Sequence, residues 1–381
     1  MLIPQRVLGA IRPTLSVAVL MSLAATTAVF AATPFLLPAT SRQFGVAVST
    51  VGWMSTTQLA GFVIASWVGG RFLRPVRTTF IIGTVIGIAA NIGSAVAPNF
   101  PVLAATRFVS GLSLGLAAWF AWQAAFGDNA KTGDAAVVGP LIGVVLAPAV
   151  ALSLDAVGLR AVFAAMAVLM VLPLLFAGQI DRRMRLRPHE SRHAATRAAR
   201  VILVALGLIT FGGSSVFVYG AAIGEELDGL SAVTVSLVYS GNAIASIPAA
   251  RWRGSRGPAG LWFILTAVAA FGMAFSRSGV VFAAALIGWG FVFFMGVPAT
   301  FALLAARSRF PEERAGDAQA VMAVGRVFGP LLGGALLASG STTSLALVSA
   351  GVLVGAAAML LYIDRDRFVV PTRLRHSVDA T

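Results

Sequence analysis

The stretch GRVFGPLLGG at residues 325–334 echoes AAVVGPLIGV at residues 135–144, and the offset of 190 residues is half of this 381-residue chain. Each copy carries a Gly-Pro pair inside an apolar run, where the proline frees a carbonyl one turn earlier and allows a bend. A weaker echo links the arginine-containing loops at residues 70–77 and 250–256. The chain is therefore predicted to consist of two similar halves.

Twelve apolar stretches, six in each half, are each close to the roughly 20 residues that a helix needs to cross a bilayer. Fifty-eight per cent of the residues are hydrophobic and only 11% are charged. This composition has too few polar residues to cover the surface of a soluble domain. We predict an all-α membrane protein with twelve transmembrane helices in two six-helix repeats. The predicted spans are residues 14–37, 48–69, 79–98, 101–124, 134–153, 160–178, 199–221, 231–250, 259–275, 279–305, 317–338 and 343–362.

Lysine and arginine cluster in the two termini and in every second loop. Twenty-three of the 28 such residues lie there, whereas the other loops hold only Arg42, Arg160 and Arg277. Because cytoplasmic loops are rich in Lys and Arg, both termini are predicted to be cytoplasmic, and the protein is placed in the cytoplasmic (inner) membrane. Topology thus accounts for the net charge of +14, and no nucleic-acid partner is expected because no soluble face interleaves basic and aromatic residues.

The chain divides into an N-terminal six-helix half (residues 1–178), a basic cytoplasmic linker (179–198) and a C-terminal six-helix half with a short tail (199–381). The first apolar run is too long for a cleavable signal and is interpreted as the first span. The absence of cysteine excludes disulfides and thiolate metal sites. Two repeats joined by a basic linker are typical of transporters in which one half rocks against the other around a mid-membrane site.

Several motifs resemble the major facilitator superfamily, and within it the twelve-helix drug-efflux branch of drug:proton antiporters. RFVSGLSLG at residues 107–115 is similar to the superfamily's arginine followed by glycines at four-residue spacing, and GRVFGPLLGG to its Gly-Pro motif. GLRAVF at 158–163 and PFLLP at 34–38 resemble the start of its helix 6 and the end of its helix 1. This resemblance implies a secondary transporter that exports small amphiphilic or drug-like molecules. The loop at 70–77 departs from the family pattern because it carries no Asp.

Arg107 and Arg326 are the only ionisable residues deep inside the predicted spans. An arginine at the bilayer centre costs roughly 2.5–3.5 kcal/mol on insertion scales, so each is expected to face a cavity or a partner. Arg107 either takes part in transport or donates to backbone carbonyls of a neighbouring helix and organises the N-terminal half. An alternative function is a facilitator or potential-driven transporter of an anionic metabolite held by both arginines.

Other polar or aromatic residues near mid-membrane are predicted to line a substrate cavity, because aromatic walls with few hydrogen-bonding groups suit amphiphilic molecules. Each of them singly also fits simple packing, and the glycines also fit close helix contact. The cavity set is Thr26, Thr27, Phe30, Gln58, Phe211, Ser214, Tyr239, Asn242, Trp289 and Phe293. The gating and helix-packing set is Gly111, Gly115, Gly139, Pro140, Gly143, Gly325, Gly329, Pro330, Gly333 and Gly334.

The first span lacks the carboxylate that proton-coupled relatives usually place inside the bundle. If protons drive transport, we expect Asp155 to carry them, and the alternative interpretation is a loop acid paired with Arg160. The expected partners are a small-molecule substrate, the lipid bilayer and, for coupled transport, protons. We expect a monomer without a cofactor.

HESRH at residues 189–193 satisfies the HExxH pattern of zinc proteases. A catalytic zinc also needs a third ligand and a shielded cleft, whereas this string lies in an arginine-dense linker. We interpret it as a chance match, so neither a metal site nor an enzyme is predicted. A non-transporting receptor or scaffold is the other alternative, and the Gly-Pro bends in both halves argue against it.

Overall fold

The computed structural model describes residues 15–125, 129–180, 193–252 and 254–365, so most of the predicted linker and both chain ends lie outside the described residues. Within these ranges the regular elements are helices. They are α1 (Val17–Phe44), α2 (Val48–Phe72), α3 (Arg77–Ala95), α4 (Phe100–Ala125), α5 (Asn129–Leu175), α6 (Arg197–Phe217), α7 (Gly220–Glu226), α8 (Ala232–Ala250), α9 (Ala259–Phe275), α10 (Gly279–Ala306), α11 (Pro311–Ala338) and α12 (Thr342–Asp364).

The helices follow the predicted spans with two differences. Helix α5 contains both the fifth and the sixth predicted span and is broken at Gly158, whose φ of 78° lies in a region that side chains disfavour. The seventh predicted span ends earlier than expected, at Phe217, and the short helix α7 follows it after a turn.

Nine helical segments of the described ranges are long and apolar enough to cross a membrane, and α5 counts once among them. Helix α9 is a shorter apolar helix. Helix α2, which carries several Ser, Thr and Gly residues, belongs to neither group. The structure therefore confirms an all-helical, multi-pass architecture.

Local sequence signals set several helix ends. The hydroxyls of Thr196, Ser231 and Ser341 each accept a hydrogen bond from the backbone N–H three residues later, which caps the first turns of α6, α8 and α12. Helix α1 ends at Gly45, where φ is +64° and a glycine cap costs no strain.

Among the described residues, the two halves meet mainly where α2 packs on α11, α5 on α8, and α1 on α7. We call the end of the bundle that holds residues 45–47, 227–231 and 339–341 the Gly45 end, and the end that holds residues 73–76 the Arg77 end. The outside of the bundle exposes large apolar side chains, among them Val145, Leu175 and Val280, each exposed by two thirds or more. Such a surface suits lipid as the solvent.

Candidate substrate site

The two halves touch at the Gly45 end through an ion pair and a ring contact. Arg42 Nη1 of α1 lies 3.4 Å from Glu225 Oε2 of α7. The rings of Phe35 on α1 and Tyr239 on α8 meet edge to face, with centroids 5.0 Å apart. Both contacts join residues that are about 200 positions apart, so they form only when the halves come together.

Tyr219, between α6 and α7, is closely packed in this contact region between the halves, which we call the joint. Its side chain is fully buried, and its hydroxyl donates a hydrogen bond of 2.8 Å to the carbonyl oxygen of Pro330 on α11. A Cβ at Gly52 of α2 would lie 2.9 Å from the ring carbon Cζ of Tyr219 and nearer still to its hydroxyl. A Cβ at Gly334 would lie 2.8 Å from the carbonyl oxygen of Ser49. Gly52 and Gly334 thus allow α2 and α11 to pack closely against this tyrosine and against each other.

Helices α5 and α8 meet at mid-depth. The Ser240 hydroxyl donates to the carbonyl oxygen of Val144 at 2.7 Å, and a Cβ at Gly143 would lie 3.2 Å from that of Ala243. Between described residues, no hydrogen bond, ion pair or ring contact joins the halves near the Arg77 end. The structure is therefore closed at the Gly45 end.

Arg107 is completely buried inside the N-terminal half. Its Nε and Nη2 atoms donate to Ser94 Oγ at 3.0 and 2.7 Å, and Nη2 also donates to Asn91 Oδ1 at 2.8 Å. The guanidinium carbon lies 4.8 Å from the centroid of the Phe163 ring on α5. Arg107 thus ties α4 to α3 and α5, mainly through side-chain acceptors rather than the backbone carbonyls considered from the sequence.

Arg326 is placed differently. It is partly exposed on α11, and within the described ranges it has no hydrogen bond or ion pair. All contacts of Arg107 described above stay inside the N-terminal half, so the structure does not bring the two arginines together.

Three of the five predicted aromatic residues, Tyr239, Trp289 and Phe293, belong to one cluster. Trp289 stacks on Phe293 with ring centroids 6.1 Å apart, and it lies 5.9 Å from Phe217. Phe217 contacts Tyr239 at 5.3 Å, and Tyr239 donates its hydroxyl to the Phe217 carbonyl at 2.9 Å. Through Phe35, these rings run from α10 of one half to α1 of the other. Phe217 and Phe35 were not among the predicted cavity residues, although their aromatic character is the same signal that selected Trp289 and Phe293.

The remaining cavity candidates scatter over both halves. Thr26 and Gln58 are buried, and Thr26 Oγ1 and Gln58 Nε2 have no hydrogen-bond partner among the described residues. Asn242 instead donates to the Leu286 carbonyl at 2.6 Å, which holds α8 against α10. The other four are placed as follows: Thr27 is partly exposed, Phe30 packs on Phe62, Ser214 donates to the Thr210 carbonyl, and Phe211 lines a groove between α6 and α11.

That groove has a volume of about 410 Å³ and is almost entirely apolar. Val204, Val324 and Phe328, which line it, are about half exposed on the outside of the bundle. The groove therefore belongs to the lipid-facing surface and not to the space between the halves.

Most of the predicted gating glycines pack helices within one half. Gly111 and Gly115 of α4 lie against the α2 backbone, and Gly325, Gly329 and Gly333 lie against α6. Gly334 and, more loosely, Gly143 face the other half, whereas Gly139 has nothing within 4 Å of its Cβ position. Pro140 and Pro330 both lie inside continuous helix.

The acidic candidates differ in their surroundings. Asp155 is exposed and makes no ion pair with Arg160 within the part of the chain that the structure describes. Asp228, in the loop after α7, has both carboxylate oxygens buried without a hydrogen-bond partner among described residues. Burial raises the pKa of Asp228, and the charge of Arg277 opposes this rise.

Two arginines of the repeated loops act as backbone clamps. Arg77 donates from Nε to the Ile180 carbonyl at 3.1 Å. Arg256 donates to the carbonyls of Ala249 at 2.7 Å and Phe294 at 3.1 Å, which ties α8 to α10. Both of these arginines thus bind backbone carbonyls rather than carboxylates.

Most of the HESRH string lies outside the described residues, although His193 is described and stacks on Phe310. Among the described residues, no group of three His, Cys, Asp or Glu side chains could hold a metal ion.

Comparison with known proteins identifies the class. The sequence profile of the Major Facilitator Superfamily matches residues 18–326. No protein with curated function matches the chain in sequence. The chain belongs to the Major Facilitator Superfamily and is a multi-pass membrane transporter, not an enzyme.

Solved structures support the same fold. The nucleoside transporter NupG superposes with a TM-score of 0.70 at 13% identity, covering 91% of this chain and 98% of that one. The human organic anion transporter MFSD10 gives 0.65 at 13% identity, covering 90% and 97%. A POT family transporter in complex with 5-aminolevulinic acid gives 0.72 at 11% identity, covering 95% and 96%. At these identities the likeness concerns the fold alone.

Proposed function

We propose that this chain is a secondary transporter that exports small amphiphilic molecules across the cytoplasmic membrane by alternating access. In this proposal the chain crosses the membrane twelve times, both termini are cytoplasmic, and residues 1–178 rock against residues 199–381. One observation carries it: the contacts between the halves concentrate at the Gly45 end and at mid-depth. With the orientation that arginine placement predicts, the Gly45 end faces outward and the structure is inward-facing.

The contacts that hold the two halves together at the Gly45 end are weak enough to break during transport. An exposed ion pair contributes about 0–1 kcal/mol, and Arg42 is 67% exposed in its pair with Glu225. Closure therefore rests mainly on the ring contact of Phe35 with Tyr239 and on the packing of Tyr219 against Gly52. The aromatic cluster that ends at Trp289 supports an amphiphilic substrate, since it offers area with few orientation demands.

Locking the Gly45 end is expected to stop transport. The chain has no native cysteine, so Arg42→Cys with Glu225→Cys can be bridged by a short bifunctional methanethiosulfonate, which joins the two thiols through reducible disulfides. We expect substrate flux in proteoliposomes to fall to background on bridging and to return on reduction, because both end states of the cycle are needed. The two single-cysteine variants serve as controls. Full flux in the bridged protein would refute alternating access through this joint.

The orientation has its own test. Asn99→Cys, at the Gly45 end, is expected to react with a membrane-impermeant thiol reagent in intact cells. Arg185→Cys, in the linker outside the described residues, is expected to react only after permeabilisation. Labelling is read by mass shift, and the reverse pattern would overturn the predicted cytoplasmic termini.

Proton coupling is tested at two acids. Burial raises the pKa of Asp228, which makes this loop acid a second candidate proton carrier beside Asp155. We expect flux driven by an imposed pH gradient to become insensitive to the gradient in Asp228→Asn or Asp155→Asn, whichever residue carries the proton. If the wild type itself ignores the gradient, coupling to protons is wrong and facilitated or potential-driven transport replaces it.

A further inference from the structure

The residues of α11 around Arg326 show which neighbour each side of this helix faces. Gly325 and Gly329 face α6, where a Cβ at Gly325 would meet Phe211 and one at Gly329 would meet Ser214. Gly334 faces α2, and Val324 and Phe328 are 47% and 54% exposed on the outside of the bundle. Together these contacts assign a direction to each side of the helix.

Helix geometry then gives the direction of Arg326. At 3.6 residues per turn, position 326 lies between the α6-facing and the α2-facing sides and about 160° from Val324 and from Phe328. The side chain therefore leaves α11 on the side opposite to lipid, toward the space between the halves. Since Arg326 is partly exposed, this exposure is to the interior of the bundle.

Arg326 is also unsatisfied. It donates to no described residue, whereas Arg107 makes bonds to both Asn91 and Ser94. A guanidinium at membrane depth is costly, and in membrane proteins such groups pair or face a water-filled path. A side chain that points inward without a protein acceptor has the features of a ligand-binding group.

A second unpartnered group lies at the same level. Helices α2 and α11 run antiparallel, with Ser49 close to Gly334 and Gly52 close to Pro330. Continuing this register by one turn places Thr56 level with Arg326, on the face of α2 that turns toward α11. Thr56 is only 5% exposed, and its Oγ1 has no hydrogen-bond partner among the described residues.

We propose that Arg326 and Thr56 form the anion-binding part of the substrate site and that the substrate carries a single carboxylate. The planar guanidinium can hold both carboxylate oxygens at once, and the Thr56 hydroxyl can donate to one of them. One arginine neutralises one negative charge, so a dianionic phosphate would bring an uncompensated charge to mid-membrane depth, and a cation would be repelled. This inference rests on the proposed transport function and narrows its substrate class to amphiphilic monoanions.

The test uses matched probes on the purified full-length chain. Binding of 1-naphthoate, 1-naphthamide, 1-naphthyl phosphate and 1-naphthylmethylamine is measured by quenching of the tryptophans. We expect saturable binding of 1-naphthoate that weakens at least about tenfold in Arg326→Gln, because hydrogen bonds to a charged group are lost. A smaller loss is expected in Thr56→Val. Arg160→Gln, at an exposed arginine, should bind like the wild type, and thermal unfolding checks that each variant is folded.

The following binding results would contradict the inference. Equal binding of the amide overturns the need for an anion, preferential binding of the phosphate overturns the carboxylate, and no binding of any anion overturns the site. Unchanged 1-naphthoate affinity in Arg326→Gln overturns the role of Arg326. Flux of 1-naphthoate in proteoliposomes separates the two proposals, since binding through Arg326 without flux would leave the site standing and refute transport.

Discussion

Gly52→Ala is expected to abolish most transport. The added methyl group would overlap the Tyr219 side chain, which cannot yield cheaply because it is fully buried and bonded to the Pro330 carbonyl. Overpacking of this kind costs about 1–3 kcal/mol, which corresponds to a shift of roughly 5- to 150-fold between two conformations. Closure of the Gly45 end is the conformation that would be lost, so turnover should fall by a similar factor.

The measurement is flux in proteoliposomes together with the bridging efficiency of cysteines at positions 42 and 225. Both should fall in Gly52→Ala, and Tyr219→Phe in the same chain should restore part of each by removing the hydroxyl. Gly139→Ala is the matched control, because nothing lies within 4 Å of its Cβ position. Normal flux and bridging in Gly52→Ala would show that the Tyr219 packing is not needed for closure.

Arg107→Ala is expected to destabilise the protein more than Arg326→Ala. Each hydrogen bond from a charged donor contributes about 1.5–3 kcal/mol, and Arg107 makes three of good length to Asn91 and Ser94. Removing the buried charge relieves only roughly 2.5–3.5 kcal/mol of insertion cost. The lost bonds outweigh this relief, and a cavity beside Phe163 adds to the loss.

Thermal unfolding in detergent checks this order. We expect the midpoint to fall in Arg107→Ala, to fall less in Arg107→Lys, and to change little in Arg326→Ala, which has no described partner to lose. Transport should show a different pattern, with Arg326→Ala inactive although folded. An Arg107→Ala protein as stable as the wild type would reduce this arginine to a minor structural role.

Most helices could be predicted from the sequence, because each apolar run has about the number of residues that a helix needs to cross the bilayer. The length and composition of such a run are local properties of the chain. The break at Gly158 lies in the predicted loop between the fifth and sixth spans. The break after Phe217 was not predicted, because it lies inside the apolar run at residues 199–221. Within the site, Arg107 and Arg326 were recognisable as costly charges. Tyr219, Gly52 and Thr56 were not, because their importance depends on neighbours far away in the chain.

The sequence by itself indicated the helical membrane architecture and the superfamily, because hydropathy, repeated motifs and charge placement are encoded along the chain. The division into two six-helix halves stays a prediction. Only the tertiary structure decided which arginine is hydrogen-bonded to its neighbours and which donates to no described residue. Arg107 finds Asn91 and Ser94 on the preceding helix, whereas Arg326 faces the space between the halves. Burial and hydrogen-bond partners arise only when helices pack against each other. Two arginines with the same cost of insertion into the membrane can therefore differ in role, because their neighbours in the packed structure differ.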